Sequence, residues 1–130
     1  MFMKSIQSLC LIQSILMKTD LSNATFIIPI RIESDDRLRN VVTSIAFLVE
    51  NFDTNIIVKE VDKESVFQTE VLPIFEEILE VDLWKNFHHI FERSEEPLFH
   101  RQRVLNEMIA ECETDIVVNY DCDVILPMKS

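Results

Sequence analysis

Apolar positions along this chain switch repeatedly between two periods. The run Thr25-Phe26-Ile27-Ile28-Pro29-Ile30 is short, continuous and β-rich, the pattern of a strand buried on both faces. Pro29 falls near its end, where a ladder donor can be lost. Ser34 then stands before Asp35 and Asp36, a helix N-cap followed by an acidic first turn. Leu38, Val41, Val42, Ile45, Leu48, Val49 and Phe52 recur at spacings of three and four, which predicts a helix with one apolar face ending near Asn51. Residues 55–61 predict a second strand. Residues 70–80 predict a helix that tolerates Pro73 only in its first turn. Residues 87–91 predict a third strand, residues 100–113 a helix presenting Val104, Leu105, Met108, Ile109 and Cys112, and residues 116–120 a last buried strand.

Strands alternating with helices at these spacings predict an α/β domain with a mostly parallel sheet and helices on both faces. Ligands of such sheets bind beyond the carboxyl ends of the strands. Residues 29–33, 60–63 and 121–123 are therefore the places to search for chemistry. The domain is expected over residues 24–130, preceded by an extension over residues 1–23 in which Met17 offers an alternative start. The apolar-leaning stretch from Ile6 to Met17 is interrupted by Gln7, Ser8, Gln13 and Ser14. It falls short of the roughly 20 continuous apolar residues that a membrane span needs.

Composition narrows the chemistry. None of the 130 residues is glycine, where ordinary usage would supply about nine. Phosphate-binding P-loops and dinucleotide fingerprints both need glycine for tight turns and close backbone approach, so both are excluded. The formal net charge of −11 repels polyanions and argues against nucleic acid as a partner. Cys10, Cys112 and Cys122 are odd in number and lack C-x-x-C spacing, which fits a reducing, cytoplasmic compartment.

Two constellations remain. Asp121-Cys122-Asp123 directly follows an apolar strand, and two carboxylates at this spacing can share one hard cation, Mn²⁺ or Mg²⁺. Such an ion neutralises a pyrophosphate and stabilises its departure. Upstream, Phe99-His100-Arg101 opens a predicted helix, and a helix N-terminus bearing an arginine suits an anion. His88 and His89 are adjacent on a predicted strand, point to opposite faces and cannot chelate together.

Three segments in order, Phe26-Ile27-Ile28-Pro29-Ile30-Arg31, then Phe99-His100-Arg101 with Leu105-Asn106, then Val117-Val118-Asn119-Tyr120-Asp121-Cys122-Asp123-Val124, resemble nucleotide-sugar-dependent glycosyltransferases of the GT-A fold, of galactosyltransferase-like and family-2-like type. The resemblance implies a GT-A-like, Rossmann-like domain. In it Pro29, Ile30 and Arg31 would line the nucleotide pocket, and Glu60 or Asp62 would face the base or ribose. Phe99 would pack near the uracil and Arg101 would reach the nucleotide. Asp121 would approach the ribose and Asp123 would bind the metal, with Asp121 assisting. It further implies a UDP-sugar donor and a glycan or protein acceptor. The sequence given departs from the family in ending seven residues after Asp123, so the reading is of the nucleotide-binding half, truncated after the metal motif. The alternative is a catalytically inactive or split-transferase module whose sheet a partner chain completes.

Overall fold

A computed structural model describes residues 19–79 and 86–120. Four strands form one sheet in the order β3-β2-β1-β4, and every pairing is parallel. They are β1 (Thr19–Ile30), β2 (Phe52–Asp62), β3 (Phe87–Arg93) and β4 (Ile116–Asn119). Between them lie α1 (Asp35–Asn51), α2 (Leu72–Ile78) and α3 (Arg101–Glu111). The chain is thus an α/β protein whose described sheet is compatible with a Rossmann-like fold.

Side-chain parity assigns the two faces. Phe26, Ile28 and Ile30 of β1 with Ile56 and Val58 of β2 face Val41, Ile45, Leu48 and Val49 of α1 and Phe75 of α2. Ile27 and Val61 point the other way, onto Val104, Leu105 and Met108 of α3. The chain therefore changes face after β3, and β4 returns beside β1. The strand order therefore reverses at β1, whose carboxyl end is the kind of switch point where ligands of such sheets sit.

Local chemistry explains the boundaries. Ser34 caps α1 by accepting the Arg37 N–H at 3.2 Å, and α1 passes into β2 with Phe52 as its C-cap. β1 starts at Thr19, so residues 19–23, assigned above to the extension, form its first part. The pairing with β2 shifts between Leu21 and Thr25. Side chains of β2 repair the shift: Thr54 donates to the Ala24 carbonyl, and Asn55 donates to those of Ser22 and Ala24, each at 3.0 Å. A polar Thr-Asp-Leu-Ser-Asn segment therefore extends as strand because its partner's side chains satisfy its carbonyls.

The second helical segment begins earlier than the sequence predicts. A π-helical turn over Phe67–Val71 precedes α2, with Pro73 in the first turn of α2. Pro73 cannot donate to the preceding turn, and its ring crowds the carbonyl four residues back; a widened turn relieves both. Pro29 is buried within β1. The Ile27 carbonyl accepts from Tyr120, so odd residues of β1 turn their backbone groups toward β4. Pro29 lies beyond the last registered β1–β4 pair, Ile27 with Asn119, where its missing N–H breaks no described pairing.

Candidate functional site

The carboxyl ends of β1, β2 and β3 surround an open cleft of about 650 Å³. Its wall combines Arg31 and Glu33 after β1, Asp62, Lys63 and Glu64 at the end of β2, and Arg93 to Pro97 after β3. Carboxylates outnumber cations around the rim. Asp62 accepts the Lys63 N–H at 2.7 Å, while Arg93 pairs with Glu95 at 2.8 Å.

Arg31 is the anomaly of this edge. It is 7% exposed. Its Nε donates to the Val61 carbonyl at 2.8 Å, and its Nη1 donates to the carbonyls of Glu96 and Pro97 at 3.0 and 3.1 Å. The guanidinium carbon lies 5.7 Å from the centre of the Phe99 ring. Nη2 is buried without a hydrogen-bond partner. All of these partners are neutral, and among the described residues no carboxylate pairs with Arg31. Burying an unpaired charge is costly, and an orphaned donor costs about 1–3 kcal/mol.

On the far side of β1, Arg101 at the start of α3 reaches Asn119 Oδ1 of β4 at 3.3 Å. Phe99 and Arg101 thus lie next to Arg31 and Asn119 respectively, without lining the cleft themselves. His100 is the N-cap residue of α3, but its side chain makes no capping bond.

The other sequence-predicted residues divide clearly. Ile30 is packed in the core beneath α1, and Pro29 is buried in the strand; neither lines the cleft, whereas Arg31 does. Of the two acidic alternatives, Asp62 lines the cleft and Glu60 does not. Glu60 is 0% exposed on the α1 face. Its Oε1 accepts from Ser65 Oγ at 2.6 Å and His89 Nε2 at 3.1 Å, and its Oε2 accepts the N–H groups of Val66 and Phe67 at 2.9 and 3.1 Å. Burial pushes its pKa up, but the hydrogen bonds from His89, Ser65 and Phe67 outweigh that and hold it below the ordinary 4.5. His88 is exposed, as expected of its opposite orientation, and His89 is satisfied by Glu60.

Asp121 and Asp123 lie outside the described residues, as do Cys10, Cys122, Trp84 and residues 1–18. Among the described residues no group of three or more His, Cys, Asp or Glu side chains could hold a metal ion, and no helix is long and apolar enough to cross a membrane. The sequence reading missed Arg93 and Ser94. Their signal was position alone, at or just past the carboxyl end of a strand.

Fold and cleft together define a parallel α/β protein with a ligand-sized crevice at the carboxyl edge of its sheet. No family model matches the chain, and neither a curated protein nor a solved structure matches it.

Proposed function

We propose that the domain binds a nucleotide sugar, UDP linked to a hexose, as the donor half of a metal-dependent glycosyltransferase of GT-A type. The observation that carries this reading is Arg31, a buried cation with neutral partners and a free Nη2 at the head of β1. Strand order adds support, because the order reverses at β1, with Arg31 stacked near Phe99 after its carboxyl end and Arg101 bonded to Asn119 of the neighbouring strand. In this reading Arg31 and Arg101 hold the anionic part of the donor, Phe99 packs beneath it, and Asp62 takes the base or ribose.

The rim is acidic and the chain carries −11, so a diphosphate entering alone meets net repulsion. A divalent ion, Mn²⁺ or Mg²⁺ held by Asp123 and Asp121, would neutralise the diphosphate and stabilise it as leaving group. Transfer to a glycan or protein hydroxyl also needs a base at the acceptor, and no described residue is assigned that role. The second reading, a non-catalytic module completed by a partner chain, draws on the sheet edge. β4 has four residues, pairs with β1 alone among the described strands, and leaves Ile116 48% exposed.

Calorimetric titration of the full chain with UDP, with and without Mn²⁺, tests the proposal. The expected result is Mn²⁺-dependent binding that Asp123→Ala abolishes and Arg31→Met weakens. A folded chain that binds no UDP under either condition overturns it.

A further inference from the structure

A carboxylate with no exposed surface and four donors on its two oxygens holds its surroundings in place. Glu60 is such a group, and what it holds is the chain immediately after β2: Ser65, Val66 and Phe67. That segment is tied on both sides. On one side Val66 belongs to the cleft wall together with Asp62, Lys63 and Glu64. On the other, Phe67 stacks on His89 with ring centres 4.4 Å apart and planes inclined by 19°, while His89 itself donates to Glu60. Glu60, His89 and Phe67 thus form a closed triangle behind the cleft.

We propose that the Glu60–His89 pair is a proton-sensitive latch that fixes the β2 wall of the cleft, so that acid opens this wall before it unfolds the core. The inference is independent of which ligand the cleft takes. While Glu60 is ionised, Oε2 accepts two backbone N–H groups and Oε1 accepts the Ser65 hydroxyl and the imidazole. Protonation puts a hydrogen on one oxygen, which then faces donors instead of accepting from them, and the charge assistance of all four bonds disappears.

The other groups facing Glu60 leave His89 as its one titratable contact among the described residues. β1 presents Ile28 and Ile30, Ile32 follows just after it, and Val58 precedes Glu60 on the same face of β2. Asp62 follows on that face and is engaged by the Lys63 N–H. Lys63 and Glu64 of the loop, Glu70 of the π turn, Glu76 and Glu77 of α2, and Asp35 and Asp36 of α1 are all exposed. Phe87 and Phe91 flank His89 on β3 and do not titrate.

The test is amide hydrogen exchange of the full chain followed by NMR across the acid range, corrected for intrinsic rates. In the wild type, Val66 and Phe67 should lose protection at higher pH than core amides such as Ile28 and Val58. At neutral pH Glu60→Gln should reduce protection of Val66 and Phe67 by about tenfold or more beyond whatever it takes from the core amides, while an exposed control, Glu76→Gln, should change neither set. His89→Phe keeps a ring on Phe67 but removes the donor that lowers Glu60. It should move the acid loss of Val66 and Phe67 protection to higher pH, and it stands in for Glu60→Gln should that variant not fold. Unchanged protection in Glu60→Gln, an unmoved transition in His89→Phe, or loss only in step with the core each overturns the latch.

Discussion

Phe67 is the most instructive side chain to remove, because it closes the core under the π-helical turn and backs the cleft wall. It has no exposed surface. Its ring stacks on His89 at 4.4 Å and on Phe87 at 5.8 Å, and meets the edge of Phe75 at 6.2 Å. Truncation of a buried phenylalanine to alanine costs about 3–5 kcal/mol, and three ring contacts place Phe67→Ala in the upper part of that range. A domain of ordinary stability, about 5–15 kcal/mol, is left marginal by such a loss. Phe67→Leu keeps most of the volume and loses the ring contacts, for about 1–2 kcal/mol. Urea unfolding reads both as shifts of midpoint at constant slope. Ile78→Ala, at a half-exposed position on α2, is the control and should stay within about 0.5 kcal/mol. The reasoning fails if Phe67→Leu costs no more than the Ile78 control, or if Phe67→Ala costs less than about 2 kcal/mol.

Ser34→Ala removes the acceptor of the Arg37 N–H at the start of α1 and should cost about 1 kcal/mol in urea unfolding. Glu60 has a lowered pKa in the fold, so its stabilising contribution is complete above the unfolded value of 4.5 and is lost as pH falls through the lower folded value. The stability gap between wild type and Glu60→Gln should therefore be constant at about pH 6–8 and shrink below about pH 4; a gap that widens in acid contradicts this. Glu107 bonds both Lys59 and Arg103 at 2.8 Å, and Glu92 closes the ring of alternating charge by meeting the same two cations. Because both glutamates are partly open to solvent, Glu107→Gln should lower the urea midpoint more at low salt than at about 1 M salt. Equal shifts under both conditions would mean that the ring acts through packing alone.

Much of this architecture is legible in the residues. The β-rich run ending at Ile30 and the spacing from Leu38 to Val49 each state their own element, because burial on two faces or on one helical stripe leaves a trace in the residues. The apolar run after Asp115 states a strand too, but β4 is not the buried strand expected, with Ile116 exposed and Val117 and Val118 only half-buried. What failed to show was decided between elements. The polar residues Thr19–Asn23 carry no strand signal, and extend because Thr54 and Asn55 satisfy their carbonyls. The π turn answers to Pro73, whose effect falls on the residues before it. Glu60 and Asp62 have the same parity, and both follow an apolar strand. Only the fold shows that pairing with β1 ends at Glu60 while Asp62 pairs with β3 alone, leaving Glu60 beneath Phe67 and Asp62 in the cleft. Asp121 and Asp123, the motif on which the resemblance leans most, lie beyond the described residues, so the donor-binding reading stands on the other bank of the crevice.

The absence of glycine explains why that bank is built as it is. Among the described residues no backbone adopts a positive φ, so none of the tight left-handed turns that aim several N–H groups at one anion is present there. At the start of α3, Arg101 is engaged with Asn119. In the proposed reading, recognition of an anion by this edge would rest chiefly on side-chain charge. Arg31 supplies it from a position fixed by three carbonyls, Val61, Glu96 and Pro97, that belong to two different strand ends. Such a cation is pre-organised but rigidly placed. Arg31→Lys, which keeps the charge and loses the fork, should therefore weaken UDP binding nearly as much as Arg31→Met. Wild-type affinity in Arg31→Lys would show that charge alone suffices and that the geometry at the head of β1 is incidental.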